Sequence, residues 1–330
     1  MKLYMAPMEG VTGFVYRRAY HACFGPMDRY FTPFISPKGQ GADGQTEGER
    51  RVCMSTRERR DVLPEHNAGM AVVPQILTNR AEDFLQTAAL LGEMGYREVN
   101  LNLGCPSGTV TAKGKGAGFL AFPERLEEFF RQVCSGLLQM DMGLSVKTRL
   151  GVEEPEEFER LLEIYNQFPL TELIIHPRVL RDYYGNEPRL DWFARALSAS
   201  RAPVCYNGDI RFPKDLERLK ERLEGKLPDR VMLGRGIIRN PGLAGEIQGQ
   251  EPAGLARLRR FHDLVYEGYR EAMGEERNAL FKMKELWAYM LELFQADSRL
   301  AKKLKKAKSA GEYQEAVNLI FASGLKGSLA

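Results

Sequence analysis

A thiol, an ammonium and an imidazole each stand at or beside the end of a different short apolar run. Cys105 follows the run 99–103 in a Gly-Cys-Pro turn. Lys147 lies in the run 144–148 just ahead of Arg149, and His176 closes the run 173–176 ahead of Arg178. A cysteine with an ordinary pKa near 8.5 keeps its proton at neutral pH and can act as a general acid. A strand-end histidine with an arginine two residues on reads as a ligand-binding pair. Two further ends carry glycine, Asn207-Gly208-Asp209 and Gly234-Arg235-Gly236. Glycines there let backbone N–H groups approach an anion, with Arg235 supplying charge, so a phosphate site is expected. Gln75 and Ala6-Pro7-Met8 end two more runs, and Asn102 stands three residues before Cys105. One polar strand end is an ordinary cap; so many together predict a lined pocket.

The elements that must position these groups alternate. Eight apolar runs, at 3–8, 30–35, 72–77, 99–103, 144–148, 173–176, 204–206 and 231–233, are separated by stretches of helical periodicity. Such alternation predicts buried parallel strands joined by helical crossovers. Eight of them favour a (β/α)8 TIM barrel, which places its chemistry at the carboxyl ends of the strands. Asn79 with Glu82 resembles a capping pair for one helix, Pro123 can open the next, and a third starts at Glu156. The stretch 39–67 is charged and irregular and reads as an elaborated crossover. Beyond about residue 250 the strand signal stops, and four helices are expected at 252–273, 278–295, 299–308 and 313–322. The division is therefore a catalytic barrel over 1–250 and a small all-helical C-terminal domain over 251–330.

Composition narrows the class. With 44% hydrophobic and 28% charged residues the chain is an ordinary globular one, neither disordered nor collagen-like. No run approaches the 18 or so apolar residues of a membrane span, so no membrane association and a cytoplasmic location are expected. Five cysteines without a Cys-x-x-Cys spacing argue against a metal site or a disulfide framework. Cys134 sits on an apolar helix stripe, and Cys23, Cys53 and Cys205 carry no motif, so all four read as structural. His21, His66 and His262 likewise lack support. The run Gly114-Lys115-Gly116-Ala117-Gly118 lies too far past its strand for a dinucleotide fingerprint. The net charge of +3 says little about partners until it is located. Residues 251–330 hold 14 basic and 11 acidic residues, so the whole excess falls in the tail.

Taken in order, Ala6-Pro7-Met8-Glu9-Gly10-Val11-Thr12, Asn102-Leu103-Gly104-Cys105-Pro106-Ser107, Lys147-Thr148-Arg149-Leu150-Gly151, His176-Pro177-Arg178, Asn207-Gly208-Asp209-Ile210 and Gly234-Arg235-Gly236 resemble the tRNA-dihydrouridine synthase family. The resemblance spans the whole barrel. It implies FMN at the barrel mouth, reduced by NADPH, and uridine in tRNA as substrate. By position, Ala6, Pro7, Met8, Gln75, Lys147 and His176 would surround the isoalloxazine ring. Asn207, Gly208, Asp209, Gly234 and Arg235 would hold the ribityl phosphate. Asn102 and Arg178 would contact the substrate, and Cys105 would be the catalytic acid that protonates uracil C5 after hydride reaches C6. The target uridine would have to leave its stack.

A tRNA substrate also turns the basic run on the predicted helix 299–308 into an expected phosphate contact, through Lys302, Lys303 and Lys306. A monomer is expected, because tRNA must reach the barrel mouth. The chain departs from the family pattern at Gly108 and Val179, and in the tyrosine- and charge-rich stretch 180–188. Two other readings remain at this point. One is an FMN barrel acting on a small molecule, against which the basic tail argues. The other is a tRNA-binding protein without catalysis, against which Cys105, Lys147 and His176 argue.

Overall fold

The computed structural model describes residues 1–39 and 52–327. Its strands are β1 (Lys2–Met5), β2 (Arg29–Phe31), β3 (Lys38–Gly39), β4 (Val52–Cys53), β5 (Val72–Val73), β6 (Gln75–Ile76), β7 (Glu98–Leu103), β8 (Gly143–Arg149), β9 (Glu172–His176), β10 (Val204–Tyr206) and β11 (Arg230–Leu233). Nine of them form one parallel sheet in the order β5-β2-β1-β11-β10-β9-β8-β7-β6. The two edges are halves of one stretch, parted at Pro74, which has no N–H to give to a ladder. A parallel bridge between Ile35 and Ile76 joins the far side of β2 to β6. The sheet therefore closes on itself as the expected eight-stranded barrel, each strand falling on one of the eight apolar runs.

Side chains fill the barrel rather than leaving a pore. Tyr4, Ala6, Phe31, Val73, Ile174, Cys205 and Met232 form a buried cluster inside it, apart from the larger core between strands and helices. At the base, where the strands begin, the charges cancel. Glu172 Oε1 accepts from Tyr4 Oη at 2.9 Å and faces Arg230 Nε at 3.0 Å, while Arg29 pairs with Glu98 at 2.7 Å.

The crossover helices follow the apolar stripes. Ala81–Glu93 buries Phe84, Ala88 and Leu91, and Pro123–Gln139 opens on its proline and buries Phe129, Phe130 and Val133. Asn79 does not cap the first of these. Its side-chain amide instead donates to the Lys113 and Gly114 carbonyls at 3.0 and 3.1 Å, tying down the glycine-rich run. Of the stretch 39–67, the described part holds the antiparallel pair β3–β4, a helix Thr56–Val62 and a single turn Pro64–His66; residues 40–51 lie outside the described residues.

Four helices make the tail, Leu255–Met273, Glu276–Met290, Ser298–Lys306 and Ala310–Ala322. Phe261 packs edge-on against Tyr16 and Phe24 of the helix Phe14–Phe24, with ring centroids 5.3 and 5.5 Å away. His262 lies inside the tail, bonded to Tyr313 Oη at 2.7 Å and to Asp263 at 2.8 Å, which is a structural use of its ring. Among the described residues no helix is long and apolar enough to cross a membrane.

Candidate active site

The strand ends converge on a cavity of about 430 Å³, within the range of small-molecule and cofactor sites. All eleven residues expected to hold a cofactor line it: Ala6, Pro7, Met8, Gln75, Lys147, His176, Asn207, Gly208, Asp209, Gly234 and Arg235. Cys105 and Asn102 line it too.

Local sequence explains how each wall is held. After β1 the chain folds back on Thr12, whose Oγ1 donates to the Ala6 carbonyl at 3.0 Å and accepts from the Met8 N–H at 2.7 Å. After β7 the Asn102 side chain ties the cysteine turn, its Oδ1 accepting from the N–H groups of Gly104 and Cys105 at 3.0 and 2.9 Å. Its amide donates to Gln75 Oε1 at 2.7 Å, and Gln75 in turn donates to Asn100 at 2.7 Å. The run 114–118 backs this turn. Gly116 has φ of +57°, and a Cβ there would stand 2.9 Å from the Cys105 carbonyl, so only glycine fits. Arg149 Nε also donates to the Gly104 carbonyl at 2.9 Å. The thiol is thus carried on a turn pinned from several sides.

Protonation follows from burial. The half-buried Cys105 thiol is pushed up by burial, against the pull of the Ser107 N–H and the Lys147 charge, and so keeps its proton at neutral pH. Lys147 is pulled down to about 8 by burial, reinforced by Arg149. Its ammonium makes no hydrogen bond or ion pair with any described residue. Burial, and then the charges of Arg149, Lys147, Arg178 and Arg235, hold His176 well below its ordinary pKa. Arg178 Nη1 lies 2.8 Å from His176 Nε2, and an arginine can only donate. The ring proton therefore sits on Nδ1, leaving that N–H for whatever enters the cavity.

At the opposite wall Asp209 lies between two arginines, 2.5 Å from Arg178 Nη2 and 2.5 Å from Arg235 Nη2. Burial would raise its carboxyl, but the two arginines outweigh burial and hold it below the usual carboxylate range. The adjacent Gly208 packs so closely on Tyr206 that a Cβ would meet its hydroxyl at 2.0 Å.

One expectation changes. Arg178 does not line the cavity: it is 1% exposed and spends its guanidinium on Asn186, His176 and Asp209. Its bond to His176 Nε2 makes the arginine the group that backs the histidine, a positioning residue in place of the expected substrate contact. Lys302, Lys303 and Lys306 are exposed on the tail, away from the cavity lining, and Lys303 pairs with Glu315 at 2.6 Å.

The cavity also gains walls that strand-end reading missed, among them Phe34, Tyr184 and Tyr289. Tyr184 rises from the tyrosine-rich stretch 180–188, beneath the guanidinium of Arg235 at 4.7 Å and that of Arg149 at 5.4 Å. Its aromatic, charged composition was the available signal. Tyr289 comes from the tail and had none.

The donor set suits a flat, electron-rich cofactor with a phosphate. A lone ammonium in a buried wall is stabilised by an anionic or electron-rich occupant, and the glycine-bearing turns leave backbone at the surface for a phosphate. Fold and site together define a barrel with a cofactor-sized cavity at its mouth, lined by a protonated thiol and an ammonium.

The dihydrouridine synthase family model matches residues 4–323, nearly the whole chain. The chain belongs to the dihydrouridine synthase family. A probable tRNA-dihydrouridine synthase of Staphylococcus aureus is 30% identical, covering 80% of this chain and 77% of that one. A similar protein of Staphylococcus epidermidis is 26% identical over 96% of this chain and 93% of its own. The tRNA-dihydrouridine(16) synthase of Ralstonia nicotianae is 30% identical over 76% and 73%.

Proposed function

We propose that this chain is a tRNA-dihydrouridine synthase that binds FMN in the barrel-mouth cavity, takes electrons from NADPH and saturates the C5–C6 bond of a tRNA uridine. The observation that carries this reading is that a protonated thiol and an unpartnered ammonium line one cavity.

The Lys147 ammonium and the His176 Nδ1–H would hold the ring, and the backbone of Asn207 to Asp209 and of Gly234, with the Arg235 side chain, would hold the phosphate. FMN, when bound and reduced, supplies the hydride for uracil C6. Lys147 would offset negative charge on the reduced ring. Cys105 gives its proton to C5, so hydride and proton together balance the reduction. Asn102 acts at one remove, holding Gly104 and Cys105 so that the thiol faces the cavity. The uridine must be out of its stack to lie in the cavity, which favours a nucleotide already weakly stacked.

The test is NADPH oxidation by the yellow, flavin-loaded protein with unmodified tRNA and with tRNA already carrying dihydrouridine. Faster oxidation with the unmodified tRNA alone, with dihydrouridine appearing at one position, is expected. Equal rates with and without tRNA would instead favour a small-molecule FMN reductase, and a colourless protein a mere binder.

A further inference from the structure

The cavity walls come from the barrel with one exception. Tyr289, on the tail helix Glu276–Met290, lines the same cavity as Cys105 and Lys147. Its neighbours Leu286, Trp287 and Met290 are buried, which fixes the helix and sets the Tyr289 ring toward the barrel mouth. The same helix grips the turn after β1. Lys282 Nζ donates to the Gly10 carbonyl at 3.2 Å and pairs with Glu285 at 2.7 Å. From the preceding helix, Tyr269 Oη donates to the Val11 carbonyl at 3.4 Å. Tyr289 is therefore held on a rigid support bonded to a cavity wall. Its own hydroxyl makes no hydrogen bond to any described residue.

The groups proposed for FMN are all barrel residues, from the β1 turn round to Gly234 and Arg235. A tail hydroxyl with no protein partner at the same cavity is free to meet an incoming nucleotide. We infer that Tyr289 is a substrate-positioning contact, its hydroxyl hydrogen-bonding the sugar–phosphate of the target uridine once the tRNA has docked. The inference rests on the tRNA reading above and deepens it. Tyrosine hydroxyls are ordinary partners of nucleic-acid backbone, fixing register without reading sequence. Tyr289 would thus report to the chemistry that the tail is seated, whereas exposed lysines on the tail contribute affinity alone.

The experiment compares full-length, flavin-loaded wild type with Tyr289→Phe and Tyr289→Ala. The phenylalanine variant keeps the ring and loses only the hydroxyl. Expected for Tyr289→Phe is a slowing of flavin reoxidation at saturating unmodified tRNA by about tenfold, the loss of one hydrogen bond made at the reacting nucleotide. FMN affinity, followed by flavin fluorescence, and tRNA affinity, by filter binding, should stay within about twofold of wild type. Tyr289→Ala should behave alike or worse. Weakened FMN binding in Tyr289→Phe would assign the hydroxyl to the cofactor and overturn the inference. So would a loss of tRNA affinity with an unchanged saturated rate, or no change at all. Wild type that is not reoxidised by tRNA overturns the parent reading, and this inference with it. That failure shows in the unsubstituted control.

Discussion

The two ends of this barrel both carry ionisable groups in buried surroundings, yet they treat them in opposite ways. At the base the charges come from the first residues of strands, Arg29, Glu98, Glu172 and Arg230, and each has an opposite partner within 3.0 Å. At the mouth Lys147 stands without a partner and Cys105 is kept protonated by burial. A half-buried cation with no protein partner marks the end suited to an electron-rich occupant. The base is built to hold together; the mouth is built to be completed.

The sharpest way to break this contrast is Cys105→Ala. It should retain flavin while dihydrouridine formation falls by about 10³-fold, within the span of general-acid effects. Mass spectrometry of tRNA after single turnover would settle it, and near-wild-type product would take Cys105 out of the mechanism. Lys147→Met comes next, with an expected loss of about 10²-fold in tRNA-dependent turnover. It carries a second signature in the flavin-free protein. Because the folded-state pKa of Lys147 is depressed to about 8, its charge destabilises the fold fully below that pH. The penalty fades as pH rises from about 8 to the unfolded value near 10.4. The variant should therefore melt higher than wild type at pH 7, with the gap closing across that window. Equal melting at every pH would mean that Lys147 does have a partner.

At the base the pattern should invert. Glu172→Gln should lower unfolding free energy by about 1 kcal/mol in urea titrations, since the partly exposed Arg230 loses its carboxylate, and leave turnover unaltered. An activity loss without a stability loss would erase the distinction between the two ends. The last effect is expected furthest from both. Charge reversal at Lys302, Lys303 and Lys306 should weaken tRNA binding by about tenfold at moderate salt and flatten its salt dependence. An unchanged slope would place the tRNA path elsewhere on the tail.

The barrel was legible because buried parallel strands read as apolar runs and their polar residues gather at one end. Pro74 split one run into β5 and β6 without disturbing the reading, since the two halves are the edges that close the sheet. The cofactor wall was legible for the same reason: each strand end contributes one to three neighbouring residues. What lay hidden depended on distance in three dimensions. Arg178 reads as a free cation in sequence, and only the fold shows Asp209, thirty-one residues on, taking its charge. Asn79 offered a cap by spacing but found two carbonyls of the glycine run instead. Tyr289 belongs to an amphipathic helix whose exposed face gives no hint of which residue meets the barrel.

The packing of Phe261 on Tyr16 and Phe24 has a mechanical meaning. One continuous apolar core runs from the barrel's first helix into the tail, so the tail is no detachable handle that could be exchanged between relatives as a cassette. Any drift in the tail's seat is passed to the turn after β1 through Lys282 and Tyr269. A change in which nucleotide is presented to the thiol would then need coordinated substitutions on both sides of that seam.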